Sequence, residues 1–173
     1  FFAGVSSLMY VAHLFLADLA EAERQLARAN GRLEELLENM LPASISQRLR
    51  REGRTFADAF AECSVLFADI VGYTSLSESV PNVVGLLDAI FSKFDDLTEQ
   101  SGLEKIKTIG DAYMVAAGIP EARADHAVAV AELALRLQEA IREFPGLEIR
   151  IGINSGAVVA GVIGKKRFIY DLW

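Results

Sequence analysis

Residues 103–117 read LEKIKTIGDAYMVAA. Two strand-like runs, Leu103–Ile109 and Ala112–Ala117, are separated only by Gly110-Asp111, a dipeptide that favours a tight hairpin. A tight turn joins antiparallel neighbours, whereas a parallel pair needs a crossover of a dozen or more residues. Ahead of this hairpin, Asn82–Gln100 has helical apolar spacing, with Pro81 near its start and Gly102 past its end. Before that, Ser64–Ile70 (SVLFADI) reads as a buried strand and Gly72-Tyr73-Thr74-Ser75 as a turn. Beyond the hairpin, Ala124–Phe144 is the clearest helix and stops ahead of Pro145-Gly146. Glu148–Asn154 and Ala157–Ile163 read as strands on either side of Ser155-Gly156, and Phe168–Trp173 starts another. The order is βαββαβ with a further strand. It predicts an α+β domain, a ferredoxin-like antiparallel sheet with its helices on one face.

The chain ahead of this domain has a different character. Phe1–Ala17 is apolar or weakly polar, with no formal charge until Asp18. That is the lower end of the 17–25 residues of a membrane-spanning helix, so residues 1–17 are expected to be the end of one. A buried or interfacial helix is the other reading. Leu19, Leu26, Leu33 and Met40 then repeat every seven residues, with Ala22, Ala29 and Leu36 three positions after the first three. Such an a/d seam predicts a two-chain coiled coil, and so a homodimer. An amphipathic helix packed on its own globule is the alternative. Pro42 ends this helix, and a short one, about Ala43–Arg51, follows until Gly53. Residues 18–53 are thus read as a helical transducer, 54–62 as a connector and 63–173 as the globular domain. A membrane segment, a stiff helix and a domain in series is the layout of a signal transducer at the cell membrane, with the domain in the cytoplasm.

Composition narrows the function classes. The chain has 173 residues, 52% of them hydrophobic, too many for a disordered chain. Lys and Arg number 17 against 24 Asp and Glu, for a net charge of -7, the wrong sign for a duplex-binding protein. Nucleic acid is therefore not expected as a partner. Cys63 is the one cysteine, which excludes an internal disulfide, and with only His13 and His126 there is no Cys/His zinc pattern.

Two acidic residues stand out. Asp69 lies near the end of an apolar strand, where a carboxylate is costly unless paired, hydrogen-bonded or coordinated. Asp111 sits at the tip of the central hairpin, and in a ferredoxin-like sheet the first and central strands are neighbours. Two converging carboxylates are what Mg²⁺ takes when it binds through a nucleotide's phosphates. The N–H groups of the Gly72-Tyr73-Thr74 turn could meet those phosphates. Equally, Asp69 can cap the following turn and Asp111 can serve its hairpin.

Four segments, FADIVGYTSLSE, EKIKTIGDAYMVAAG, RIGINSGAVVAGVIG and FIYDLW, resemble in order the catalytic domain of the class III nucleotide cyclases. The resemblance covers about Cys63 to Trp173. LLENMLPASISQRL is similar to the transducer segment of membrane-anchored bacterial adenylyl cyclases. It implies that Asp69 and Asp111, joined by the backbone carbonyl of Ile70, bind two divalent cations, Mg²⁺ or Mn²⁺. Lys107 and Asp171 match the pair that reads adenine, and Arg150 matches an arginine that contacts the triphosphate in some members. The implied enzyme is an adenylate cyclase, a phosphorus–oxygen lyase that converts ATP to 3′,5′-cyclic AMP and pyrophosphate. It would act as a homodimer joined through both coiled coil and catalytic domains. A guanylyl cyclase, or a non-catalytic cyclase-like sensor at the membrane, are the rival readings. The family pattern continues past YDLW with a ribose-orienting Asn and a transition-state Arg, so the chain ending at Trp173 is expected to be weak or inactive alone.

Overall fold

The computed structural model describes residues 16, 18–32, 41–164 and 168–173. The chain divides into two compact units, Phe1–Ser46 and Gln47–Trp173. In the first, residues 18–32 are helical, and Leu19 and Leu26 of the expected seam are exposed. Leu33, Leu36 and Met40 lie outside the described residues, as does the expected membrane segment except Leu16. Among the described residues no helix is long and apolar enough to cross a membrane. Helix α1 (Ala43–Glu52) stops at Gly53, whose φ of 63° suits glycine.

The second unit is built from β1 (Ala57–Ile70), α2 (Tyr73–Ser79), α3 (Val83–Gln100), β2 (Glu104–Ile109), β3 (Ala112–Ala117), α4 (His126–Ala140), a 3₁₀ turn (Ile141–Glu143), β4 (Ile149–Ile163) and β5 (Ile169–Leu172). The sheet order is β2-β3-β1-β4-β5, antiparallel at every pairing. This is the expected antiparallel α+β arrangement, with β3 and β1 side by side and β5 added at one edge.

Alternation decides which residues enter the core. Leu66, Ala68 and Ile70 of β1 and Tyr113, Val115 and Ala117 of β3 share one face. Ile90 and Phe94 of α3, and Val130, Leu133 and Leu137 of α4, pack there with them. Asn82 starts α3, its Oδ1 accepting from the Gly85 N–H at 3.2 Å. Each fully buried Leu, Val or Phe contributes about 1.5–3 kcal/mol.

Three local expectations are corrected. Strand β1 begins at Ala57, so most of the expected connector 54–62 is strand. Phe56 lies 3.9 Å below the Arg48 guanidinium, which also bonds Glu52 and Asp58, and this ties α1 to the start of β1. Second, Ser155-Gly156 makes no turn: the two expected strands are one, β4, 15 residues long. Both halves pair with β1, Gly156 opposite Cys63 and Ser155 opposite Ser64, and β1 is long enough to serve them all. The reversal comes later, between Ile163 and Ile169, and lays β5 against Ala160–Ile163. Third, the Gly72 turn opens α2, with Gly72 (φ 72°) as its N-cap.

Beyond a bulge between Phe60 and Cys63, the β1–β4 ribbon carries β5 back toward the opposite edge. The edge strands meet through Lys107 of β2 and Asp171 of β5, 2.5 Å apart. Gly161 sits where this ribbon is tightest. A Cβ there would lie 2.5 Å from the Phe56 carbonyl oxygen and 2.7 Å from Ala57 Cα.

Candidate active site

The pairing of Asp69 with Ala112 sets Asp111 beside Asp69, at the ends of two neighbouring strands. Their carboxyl groups are close enough to shift each other's ionisation. On the other side Asp69 is paired with Arg150, whose Nε and Nη2 both reach Asp69 Oδ2, at 2.7 and 2.6 Å. The Arg150 guanidinium holds the Asp69 carboxyl below the usual carboxylate range. Burial, and then the adjoining Asp69, push Asp111 above it, against a smaller lowering by nearby backbone N–H groups. Two neighbouring carboxyls that resist joint ionisation are a concentration of negative charge that a hard divalent cation relieves. The donor set fits a cation bound jointly by protein and phosphate. Among the described residues no cluster of three or more His, Cys, Asp or Glu side chains could hold one alone.

The other expected residues fall in two places. Gly72, Tyr73 and Thr74 open α2, two to four residues past the end of β1, where the first N–H groups of a helix lack intrahelical acceptors. The Tyr73 side chain is partly buried and packs against the core. Lys107 and Asp171 form a separate cluster, their side chains 33% and 19% exposed, and Asp171 Oδ1 also accepts from the Leu172 N–H at 2.9 Å. Among the described residues no hydrogen bond or ion pair within the chain joins this cluster to Asp69 and Asp111.

Residues 56–173 match the family model described as the adenylate and guanylate cyclase catalytic domain. The chain belongs to this family. An adenylate cyclase of Mycobacterium bovis is 45% identical over 166 residues, which cover 91% of this chain. The match spans only 38% of that relative's length. The catalytic core of a rhodopsin-guanylyl cyclase with converted specificity, in complex with ATPαS, is 35% identical with a TM-score of 0.64, covering 68% of this chain and 67% of that one. The guanylate cyclase domain of a Catenaria anguillulae protein, in complex with GTP, is 32% identical with a TM-score of 0.65, covering 67% and 68%.

Several polar groups of this cyclase domain carried no signal in the sequence. Ser64 Oγ lies 2.8 Å from His126 Nδ1 and 2.6 Å from Ser155 Oγ, linking β1, α4 and β4. Asp95, Tyr113 and Lys105 form a network behind the central hairpin. Glu104 of β2 is largely buried, and burial pushes its carboxyl up to about 7 from an ordinary 4.5. The folded chain therefore holds this proton more tightly than the unfolded chain. The stability contributed by the protonated form is fully present below pH 4.5 and is lost as pH rises through 7. Glu104→Gln is expected to match the parent's Tm near pH 4.5 and exceed it at pH 8. Equal melting curves at pH 8 would show that Glu104 carries no such burden.

Proposed function

We propose that this chain carries the catalytic domain of an adenylate cyclase that converts ATP to 3′,5′-cyclic AMP and pyrophosphate. The observation that carries the choice of purine is the Lys107–Asp171 pair. These residues come from opposite edges of the sheet yet stand 2.5 Å apart. An ammonium donates to adenine N1, and a carboxylate accepts from the 6-amino group. Guanine presents the reverse order of donor and acceptor along that edge. The 45% identity to a mycobacterial adenylate cyclase supports the same choice.

Asp69, Asp111 and the Ile70 carbonyl would hold two divalent cations, Mg²⁺ or Mn²⁺. When bound, these would lower the pKa of the ribose 3′-hydroxyl and neutralise charge on the triphosphate. The 3′-oxygen loses its proton and bonds to the α-phosphorus in line, while the bond to the β-phosphate oxygen breaks and pyrophosphate leaves. Arg150, its side chain 76% exposed and paired with Asp69 near solvent, could turn its guanidinium to the triphosphate. Exposed backbone N–H groups at Gly72–Thr74 add donors for phosphate oxygen. The chemistry needs positioning and charge, and no covalent nucleophile.

The working unit is a homodimer at the membrane. Exposed Leu19 and Leu26 at heptad spacing support the coiled coil, and apolar residues 1–17 support the anchor. Metal aspartates and a purine-reading pair on one protomer fit two equivalent sites between two chains.

The test is product formation by the full-length protein with Mn²⁺ and either ATP or GTP. Cyclic AMP is expected. Preferential cyclic GMP overturns the substrate, and no product from either overturns the catalytic reading in favour of a sensor. Combining Lys107→Glu with Asp171→Ala is expected to lower the ATP-over-GTP ratio of kcat/KM by on the order of 100-fold or more. An unchanged ratio would remove the pair from purine selection.

A further inference from the structure

Lys105 and Lys107 lie two residues apart on β2, and in a regular strand side chains two apart share a face. Here they point to opposite faces. Lys105 Nζ reaches Asp95 Oδ2 on α3 at 2.7 Å and lies 5.2 Å from the Tyr113 ring centroid, on the side of the helices. Lys107 pairs with Asp171 on the other side. The register explains the split. Lys105 stands opposite Val115 and Lys107 opposite Met114, so β2 advances two residues while β3 advances one. Ile106 is the extra residue of a β-bulge, a device that re-aims the side chains beyond it.

A bulge in an edge strand needs something to hold its register. Strand β2 has six residues and only one ladder neighbour, β3. A one-residue slip turns every side chain to the other face, and Glu-Lys-Ile-Lys offers a second lysine for the wrong position. Asp95 supplies the restraint. Its Oδ2 takes Lys105 of β2, and its Oδ1 accepts the Tyr113 hydroxyl of β3 at 2.5 Å. The Tyr113 oxygen also lies 3.2 Å from Thr98 Oγ1, and the residue is wholly buried. One carboxylate thus ties both strands of the hairpin to α3.

We propose that the Asp95–Lys105–Tyr113 clamp holds the Ile106 bulge in register, so that Lys107, not Lys105, faces Asp171. Asp95 and Lys105 are then positioning residues for purine selectivity, an inference that rests on the reading of Lys107 and Asp171 given above. They touch no substrate and act through the strand.

The test compares kcat/KM for ATP and for GTP in the full-length protein. Lys105→Met, which keeps the stem and removes the charge, is expected to lower the ATP-over-GTP ratio by about 10- to 100-fold. Lys105→Arg, which keeps the cation, is expected to preserve it. Tyr113→Phe keeps the ring in the core and is expected to lower the ratio too; it decides the matter if Lys105→Met fails to fold. A purely structural role would reduce turnover of both substrates equally and leave the ratio unchanged, and that result overturns the proposal. Lys107→Met is the control. If it lowers the ratio and Lys105→Met does not, the clamp alone is overturned; if neither does, the purine assignment falls and the clamp with it.

Discussion

Replacing Asp111 by Ala in the full-length protein is expected to abolish cyclic nucleotide formation without unfolding the domain. In the proposed role Asp111 would help hold a divalent cation, and its loss would remove several kcal/mol of stabilisation of the transferring phosphoryl group, about 10³-fold or more in rate. Stability should move the other way. Burial and the adjoining Asp69 both disfavour the ionised Asp111, so its removal relieves a like-charge contact in the folded state. Asp69 keeps Arg150 as its partner when Asp111 is gone. Tm is therefore expected to stay level or rise while turnover is lost, a signature that separates a functional acid pair from a structural one. Asp69→Ala is expected to abolish turnover as well. Retained turnover in either variant, measured as product by chromatography with Mn²⁺ present, would remove that residue from the chemistry.

The second large effect is on the fold. Phe94→Ala should destabilise the catalytic unit by about 3–5 kcal/mol, a large share of the 5–15 kcal/mol that holds a typical domain. Phe94 is 1% exposed, and its ring meets Tyr113 edge-on with centroids 5.5 Å apart. Phe91 completes the cluster, its centroid 5.6 Å from that of Tyr113 and 6.4 Å from that of Phe94. Truncation opens a cavity directly beneath β3, the strand that follows Asp111. Urea denaturation should register the loss as a lower midpoint at unchanged slope. A shift under 1 kcal/mol would mean that neighbouring side chains collapse into the space.

How much of this was legible in the chain follows from the range of each interaction. Gly110-Asp111 announces a hairpin because turn chemistry resides in the turn residues themselves. The helices of Asn82–Gln100 and Ala124–Phe144 are readable because their apolar spacing repeats within each segment. Asp69 and Asp111 could be matched because topology alone makes the first and central strands neighbours. Ser155-Gly156 misled for the complementary reason. Whether such a dipeptide turns depends on whether its flanks pair with each other or with a third strand, and that third strand, β1, lies some ninety residues earlier.

From its amino acids alone, then, this protein is an antiparallel α+β domain behind a helical segment, with an acidic pair, a lysine and a distant aspartate as its chemical assets. Hydrophobic period, turn residues and motif order carry that much because each is written locally along the chain. Only the folded sheet decided that β4 runs unbroken, that the two edge strands meet at Lys107 and Asp171, and that a bulge separates two lysines two residues apart. Ladder register and sheet curvature are set by partners far away in sequence. No window of residues contains the competition between alternative pairings that settles them.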